Sequence, residues 1–326
     1  MKPREDLARE LRAVRESAGL FRLPGRGVLE VRGGDRVRWL DGMISADVKS
    51  LAVGGGAHGL VLTRQGRIVA DLHVLARTDG LWLELEAAAL PGVQGRLAGY
   101  VIADDVTLTD LRPELARFAV EGPHAAERLA AAGADPSGLA PHGWREGSID
   151  GAQAVVAAYG FTGLPAFQLF VPAGSADAVN QALLATGLTP ASGDTLECLR
   201  IVSGLPWLGR ELDETVLPAE ARLDAAVSTT KGCYTGQEVV ARMRSRGRVR
   251  HLLVGLRFEG DVLPAHGAEI ESAAGRIGQV TSSVLSPEEG AIGLGFVRAE
   301  DAEPGASVRV AGTAARIAAL PLRTGA

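Results

Sequence analysis

The chain has 326 residues and a mass of 33.8 kDa, which is enough for about two or three domains with substantial cores. Its 46% hydrophobic and 22% charged residues are typical of a globular protein, and its formal net charge of −5 excludes a general attraction to nucleic acid or to anionic membranes. Cys198 and Cys233 are too few for a disulfide framework or for the thiolate set of an iron–sulfur cluster. They indicate a reducing compartment, and we expect a cytoplasmic protein.

The N-terminal segment predicts an amphipathic helix rather than a targeting sequence. Acids alternate with arginines in residues 2–19, and Leu7, Leu11 and Val14 fall on one helical face. No apolar run approaches the roughly 20 residues that a membrane span needs, so we expect no membrane insertion.

The following segments predict a mixture of helices and antiparallel strands. Residues 27–31 predict a strand and residues 35–43 a helix. Apolar and polar residues alternate in three segments separated by turn pairs, as in an antiparallel meander: 59–63, 67–76 and 81–86. Further helices are predicted at 90–97, 125–132 and 176–185, and further strands at 154–158 and 166–171.

The last third of the chain predicts a small all-β domain. A basic connector at 242–250 leads into short strands separated by turn residues, which suggests a barrel. These strands are predicted at 251–258, 269–271, 275–284, 291–297 and 307–310. We therefore divide the chain into residues 1–246, with two α+β units, and residues 247–326, the C-terminal β-barrel.

The most specific motif is the octapeptide Lys231-Gly232-Cys233-Tyr234-Thr235-Gly236-Gln237-Glu238. Glycine permits a tight loop, which would hold Cys233 near the surface, and a cation two residues away favours the thiolate form. A buried cysteine at a strand end is the alternative. Cys198, by contrast, stands among apolar residues as a core-filling side chain would.

This octapeptide resembles the signature of the YgfZ-type folate-binding proteins, which are related to the glycine-cleavage aminomethyltransferases (GcvT). Similar segments lie at 33–48, 62–72, 199–206, 217–220, 277–282 and 293–297. The resemblance implies an α+β fold, with two interleaved α+β subdomains and a C-terminal β-barrel around a central channel. It also implies tetrahydrofolate, or a one-carbon derivative, as the cofactor, and no metal ligands.

The resemblance also suggests roles for residues of the octapeptide. Cys233 would lie at the mouth of the folate channel, where its thiol could bridge a delivered iron atom, relay sulfur or react with a one-carbon adduct. Lys231 would tune the charge of that thiol. The folate contacts expected in this segment are Tyr234, Gln237, Glu238 and Arg242.

Two departures from the aminomethyltransferase pattern concern acids. Asp71 stands in the pair Ala70-Asp71, where those enzymes have two adjacent acids. It could bind a pterin amine, take part in an acid–base step, or be a turn residue. Leu164 replaces a pterin-binding glutamate after Thr162-Gly163. Both losses argue against efficient aminomethyl transfer.

Arginines form the other candidate sites. Arg200 matches a folate-contacting arginine and, inside an apolar run, needs an anionic partner: the ligand's glutamate tail, or an internal acid such as Glu197 or Glu220. A second set of arginines occupies every second position, so in an extended segment their side chains would share one face. This segment could be a solvated connector, a track for the polyglutamate tail of a folate, or an RNA site. These arginines are Arg242, Arg244, Arg246, Arg248 and Arg250. The acidity of the chain favours the small ligand.

These patterns lead us to expect a folate-binding accessory protein that supports assembly or repair of 4Fe–4S clusters, with an indirect effect on tRNA thiomethylation. Its partners would be folate and client iron–sulfur enzymes, and it would be a monomer. We do not expect a classical aminomethyltransferase. The alternative is a folate-dependent aminomethyltransferase or demethylase, and an RNA-binding module rests on the arginines alone.

Overall fold

The computed structural model describes residues 4–247 and 249–323, apart from the side chains of residues 244–246. Its helices are α1 (Arg4–Glu16), α2 (Arg36–Met43), α3 (Leu90–Ala98), α4 (Ala125–Ala131), α5 (Ala176–Ala185), α6 (Gly193–Ser203) and α7 (Gln237–Arg246). Short 3₁₀ turns lie at Ala173–Ser175, Asp224–Ala226 and Ala299–Asp301. None of the helices in the described part of the chain is long and apolar enough to cross a bilayer.

The strands form two open sheets and a closed barrel. The first sheet has the order β3-β4-β5-β2-β6, with β2 (Arg26–Arg32), β3 (Gly56–Leu62), β4 (Ile68–Ala76), β5 (Leu81–Glu86) and β6 (Thr107–Asp110). The second has the order β11-β1-β7-β10-β9-β8, with β1 (Gly19–Arg22), β7 (Leu115–Glu121), β8 (Trp144–Ile149), β9 (Ala152–Ala157), β10 (Ala166–Pro172) and β11 (Thr189–Ala191). The β1–β11 pair is parallel, and the other pairs are antiparallel.

The barrel order is β12-β15-β14-β13-β16-β17. Its strands are β12 (His251–Phe258), β13 (Glu269–Ser272), β14 (Gly275–Ser286), β15 (Gly290–Arg298), β16 (Ser307–Val310) and β17 (Thr313–Ala318). Closure pairs the edges that an open sheet would leave exposed.

Helices cover one face of each open sheet. Alternate residues of a strand point to opposite faces, so the apolar set of the first sheet packs under α2 and α3. The matching set of the second sheet packs under α4 and α5. The remaining two faces meet each other, with the Trp82 and Phe170 rings 5.5 Å apart. This meeting face carries buried charged side chains, and the candidate site lies there.

The predicted α+β fold with a C-terminal barrel is confirmed, including the meander of β3, β4 and β5. Several short strands, among them β1, β7 and β17, escaped prediction. The domain boundary at 246/247 stays a prediction, and the first barrel strand begins at His251.

The prediction of an extended arginine track is wrong, because Gln237–Arg246 forms helix α7. Side chains two residues apart on a helix do not share a face. Arg248 lies outside the described residues, as do the side chains of Arg244 and Arg246, so one continuous basic face is not established.

Helix α6 attaches to the barrel through Arg200, whose side chain is 1% exposed. Its guanidinium donates to the Glu211 carboxylate at 3.0 Å and to the Ser282 hydroxyl of β14 at 2.7 Å. It also binds Glu197 at 2.6 Å. Glu197 was one predicted partner, whereas Glu211 was not predicted. These bonds pair a charge that would be costly to bury alone.

We predict that Arg200→Met lowers the free energy of unfolding by about 3–5 kcal/mol, because the buried Glu211 carboxylate loses its cation. Urea denaturation of the purified protein measures this. The control is Arg210→Met, since Arg210 is exposed, and its effect should stay within about 0.5 kcal/mol. A stable Arg200→Met protein with weakened ligand binding would contradict this structural role.

Candidate functional site

The centre of the meeting face is a cluster of flat rings. His58 of β3 and His73 of β4 are direct cross-strand partners, with ring centroids 4.7 Å apart. The other face of His73 stacks on Tyr159 at 3.8 Å, and His142 lies 5.5 Å from His73. Phe161 closes the cluster edge-on to Tyr159 at 6.0 Å. The two sheets therefore build one continuous wall of aromatic surface.

Beside this wall, several buried polar atoms have no hydrogen-bond partner among the described residues. They are Oδ1 of Asp71, Nε2 of His58, Nδ1 of His73, Nδ1 of His142 and Nε of Arg117. Buried polar groups are normally satisfied, so such a cluster points to bound water or a ligand. Within the described part of the chain, no group of three or more His, Cys, Asp or Glu side chains is arranged to hold a metal ion.

Asp71 lies at the rim of this cluster, with a side chain that is 16% exposed. Its Oδ2 is 3.7 Å from Nε2 of His58, which is too long for a direct hydrogen bond. Burial, together with His58 and His142, holds the pKa of His73 well below its usual value. Burial also lowers the pKa of His142. The rings of His73 and His142 are therefore neutral at pH 7 and each keeps a nitrogen lone pair.

A buried ion network underlies the rings. Glu84 of β5 binds Arg26 through two 2.7 Å contacts and lies 3.2 Å from Arg117 of the opposite sheet. Burial raises the pKa of Glu84, but the two arginines outweigh it and bring the pKa to about 2. Arg26 also lies over the rings of Phe161 and Trp207, at 4.8 and 5.3 Å. This network joins the sheets and orients the aromatic wall.

The loop that carries Leu164 is held from below by Glu121. The backbone N–H groups of Phe161 and Thr162 donate to the Glu121 carboxylate at 3.0 Å. Burial raises the pKa of Glu121 to about 7, although the hydrogen bonds from Thr162, Phe161 and Gln168 oppose the shift. Leu164 packs against the apolar core cluster that also contains Phe161. The acid in contact with this loop is thus Glu121, which lies beneath it, and residue 164 is apolar.

The first six residues of the octapeptide form a loop that packs against α2 and the turn between β3 and β4, and its last two residues begin α7. Lys231 donates to the main-chain carbonyls of Asp41, Ile44 and Ala46, and its side chain is 1% exposed. Gly236 has φ +85°, and a Cβ there would lie 2.5 Å from the Thr63 carbonyl oxygen, so a glycine is required. The ammonium of Lys231 is therefore engaged with the end of α2, and its tuning of Cys233 stays a prediction.

Other residues of this segment are placed as follows. Tyr234 is buried, and its N–H donates to the side-chain oxygen of Gln237 at 3.3 Å. Glu238 and Arg242 are exposed on α7. Cys233 is exposed and Cys198 is fully buried, as expected for each.

The structure does not gather all predicted site residues in one place. Asp71 belongs to the ring cluster, while Arg200 is engaged with Glu197, Glu211 and the barrel. Sequence reasoning missed His58, His73 and His142. The signal available for His73 was its position two residues after Asp71 in the predicted strand 67–76. His58 lies one residue before the predicted strand 59–63 and joins β3 only in the structure.

We predict that Glu121 makes stability fall with rising pH. Its folded-state pKa, about 7, exceeds the ordinary 4.5, so between those values the folded state holds a proton that the unfolded state has released. From pH 4.5 to 7 the free energy of unfolding should fall by about 3 kcal/mol relative to Glu121→Gln, measured by urea denaturation at each pH. The variant serves as the control because other groups, such as His73, titrate in both proteins. Parallel curves would contradict the prediction.

We also predict that iodoacetamide modifies Cys233 much faster than Cys198 in the native protein. Cys233 is exposed, whereas Cys198 is buried and its burial raises the pKa of its thiol. Mass spectrometry of timed digests measures both rates. Cys233→Ser and Cys198→Ser identify each signal, and equal rates in the native state would overturn the assignment.

Two family models match the chain. The GCVT N-terminal domain matches residues 3–231, and the glycine cleavage T-protein C-terminal barrel domain matches residues 252–324. The chain is 34% identical to the aminomethyltransferase of Rubrobacter xylanophilus over 89% of this chain and 79% of that protein. It is 32% identical to the aminomethyltransferase of Herpetosiphon aurantiacus over 92% of this chain and 84% of that protein.

A solved structure supports the same fold. The glycine cleavage system aminomethyltransferase T from Bartonella henselae superposes with a TM-score of 0.88. The alignment covers 97% of this chain and 89% of that chain at 24% identity. At this identity the superposition establishes the fold alone.

These relatives correct the function predicted above. They are named aminomethyltransferase and match nearly the whole chain, so the accessory role in iron–sulfur cluster assembly and tRNA thiomethylation is wrong. The expectation that the chain is not a classical aminomethyltransferase is wrong for the same reason. The narrower assignment to the YgfZ group has no support from these relatives. The matched domains and the identity over the whole length show that this chain belongs to the glycine-cleavage T-protein (GcvT) family.

Proposed function

We propose that this protein is a tetrahydrofolate-dependent aminomethyltransferase whose reacting groups meet beside Asp71. The observation that carries this proposal is the half-buried Asp71 carboxylate, with one unpartnered oxygen, at the rim of a wall of stacked rings. A protein that is 34% identical to this chain over 89% of this chain's length carries that enzyme's name. The similarity over most of the chain supports aminomethyl transfer as the reaction, and the Asp71 carboxylate supports this place as the site of the reaction.

The residues at this place fit a reduced folate. A pterin is a flat heterocycle with several hydrogen-bonding edges, and flat rings stack on aromatic surfaces. The stack offers such a surface at His58, which has one face on His73 and a side chain that is 22% exposed. Unpartnered atoms of His73, His142 and Asp71 offer hydrogen bonds to polar edges. These side chains would hold the folate.

When bound, the folate supplies two nitrogens that accept the methylene carbon of an S-aminomethyl thioether, with release of a free thiol and ammonia. Two N–H, one C–S and one C–N bond break; two C–N, one S–H and one N–H bond form. A carboxylate in hydrogen-bonding reach of the reacting groups can accept a proton and return it. Asp71 is suited to that role because one of its oxygens is unpartnered.

The buried charges around Asp71 set its electrostatics. Arg26 attracts negative charge at Asp71, and this interaction is one of the causes that raise the pKa of Arg26. Glu86 acts in the opposite direction, since its own pKa is raised by burial and by the nearby Asp71 and Glu84 carboxylates. Asp71 thus interacts electrostatically with a fixed cation, Arg26, and with a second acid, Glu86.

The replacement of a pterin-binding acid by Leu164 changes how the folate would be held. Leu164 contributes apolar contact to the core cluster that includes Phe161 and Trp207. The loop is kept rigid by Glu121 beneath it. Folate affinity would therefore come mainly from stacking and from Asp71. We expect a modest affinity.

The test is the reaction itself. Purified protein is incubated with tetrahydrofolate and an aminomethylated lipoyl carrier protein, and methylenetetrahydrofolate and ammonia are measured. We expect turnover by the wild type and a loss of a hundredfold or more in Asp71→Asn, which is about the size of a general acid–base contribution. Asp79→Asn, in the exposed turn after β4, is the matched control.

Calorimetry with tetrahydrofolate separates binding from chemistry. Asp71→Asn should retain binding within about tenfold, because stacking on the rings remains. A folded wild type that produces neither methylenetetrahydrofolate nor ammonia would overturn the proposed function. Equal turnover by the wild type and Asp71→Asn would overturn the role of the carboxylate.

A further inference from the structure

We infer that His58 is a second proton-transfer group of this site and works as a pair with Asp71. The inference rests on the proposed function and adds a residue that the comparison with relatives does not supply. Its structural basis is the placement of an imidazole nitrogen, buried and unpartnered, 3.7 Å from the Asp71 carboxylate.

Two protons move in each turnover, so a second proton carrier beside Asp71 would have a use in the reaction. Two N–H bonds break, while one S–H and one N–H bond form, so two protons must move within each turnover. A single carboxylate holds one proton at a time, and this chain has Ala70 beside Asp71 instead of a second acid. An imidazole is the side chain best suited to carry a proton near pH 7. His58 is the imidazole nearest to Asp71 with a free nitrogen aimed at it.

The strand geometry places His58 at the boundary between the ring cluster and solvent. Its side chain is 22% exposed, whereas His73, on the neighbouring strand, is 7% exposed as a residue. The gap of 3.7 Å to Asp71 is too long for a direct hydrogen bond, and a proton can cross it after a small side-chain movement or through one water. A group at such a boundary can exchange its proton with solvent after each turnover.

The charged and titratable groups around His58 favour this role for it over the other histidines. Those facing the cluster are Asp71 and His73 of β4, Glu84 and Glu86 of β5, Arg26 of β2, Arg117 of β7, His142 and Tyr159. Arg26 and Arg117 are bound to Glu84 beneath His73, and they disfavour a charged His73. His58 has the Asp71 carboxylate as its near partner instead. Among the three imidazoles, His58 alone has an acid within 4 Å as an ion-pair partner in the described structure.

The backbone near His58 is shaped to bring the third histidine close. His142 has φ +62°, an uncommon conformation for a residue with a side chain. Its carbonyl oxygen approaches Gly56 of β3 so closely that a Cβ there would lie 2.3 Å away. The chain thus tolerates strain and requires a glycine where this loop meets the strand that carries His58. Such local strain is common at functional sites.

The first test does not depend on turnover. Imidazole ¹⁵N chemical shifts report the fraction of each histidine that is protonated, in wild type, Asp71→Asn and the control Asp79→Asn. Asp71→Asn should shift the ¹⁵N resonance of His58 Nε2, because the carboxylate 3.7 Å from this nitrogen is gone. Asp79→Asn should leave it unchanged. No difference between wild type and Asp71→Asn would overturn the pairing.

The second test uses the reaction. His58→Ala should lower turnover tenfold or more, flatten the pH profile of kcat on one limb, and regain activity with added imidazole; a purely structural role would not produce that rescue. His124→Ala, an exposed histidine paired with Glu127, is the control. If the wild type turns over and His58→Ala is fully active, the inference about His58 is overturned and the proposed function stands. If the wild type shows no turnover but the ¹⁵N shift of His58 still responds to Asp71→Asn, the proposed function is overturned and the pairing of His58 with Asp71 stands.

Discussion

The candidate site depends on one buried ion network between two sheets. Glu84, fully buried, is bound by Arg26 from its own sheet and approached by Arg117 from the other. Leaving any of these charges unpaired in the interior would cost several kcal/mol, so the sheets can pack only where all three meet. That position also brings Tyr159, from the loop between β9 and β10, onto His73 of the first sheet. The network therefore determines the geometry of the aromatic wall.

The same network explains the chemical state of the wall. Burial and the neighbouring arginines keep His73 neutral, and a neutral imidazole can stack on a phenol and retain a lone pair. Arg26 and Arg117 are bound to Glu84 at this depth. Among the described residues of the site, the polar atoms without a partner are three imidazole nitrogens, one carboxylate oxygen and Nε of Arg117. The site thus offers flat surface and proton-transferring groups close together.

The loop that carries Leu164 is held in its conformation by contacts from the strand beneath it. An acid in that loop is absent, yet Glu121 under the loop binds the N–H groups of Phe161 and Thr162. The loop conformation is maintained from the strand side, through β7, so residue 164 is released for apolar packing. In the sequence, Ala70 and Leu164 at positions where acids were expected had argued against aminomethyl transfer. Similarity over nearly the whole chain to proteins named aminomethyltransferase outweighs that argument.

Local pattern was enough to predict the meander, the barrel strands, and the burial of Cys198, because alternation and apolar context are properties of neighbouring residues. It failed at Gln237–Arg246, where alternate arginines suggested an extended segment and the chain instead forms a helix. The octapeptide was the most specific local signal, and it directed attention to Cys233 and Lys231. Its lysine proves to be engaged with the carbonyls at the end of α2.

The sequence by itself determined the fold class and the wider GcvT-like relationship, and it indicated Asp71 as a candidate site residue. Only the tertiary structure decided what surrounds Asp71, and that Arg200 pairs with Glu211. His58 and His73 are neighbours across a strand pair, but His142 and Tyr159 come from the other α+β unit. Their meeting depends on two sheets packing through buried charges. No local periodicity records such a contact, because the energy that enforces it comes from pairing charges distant in sequence.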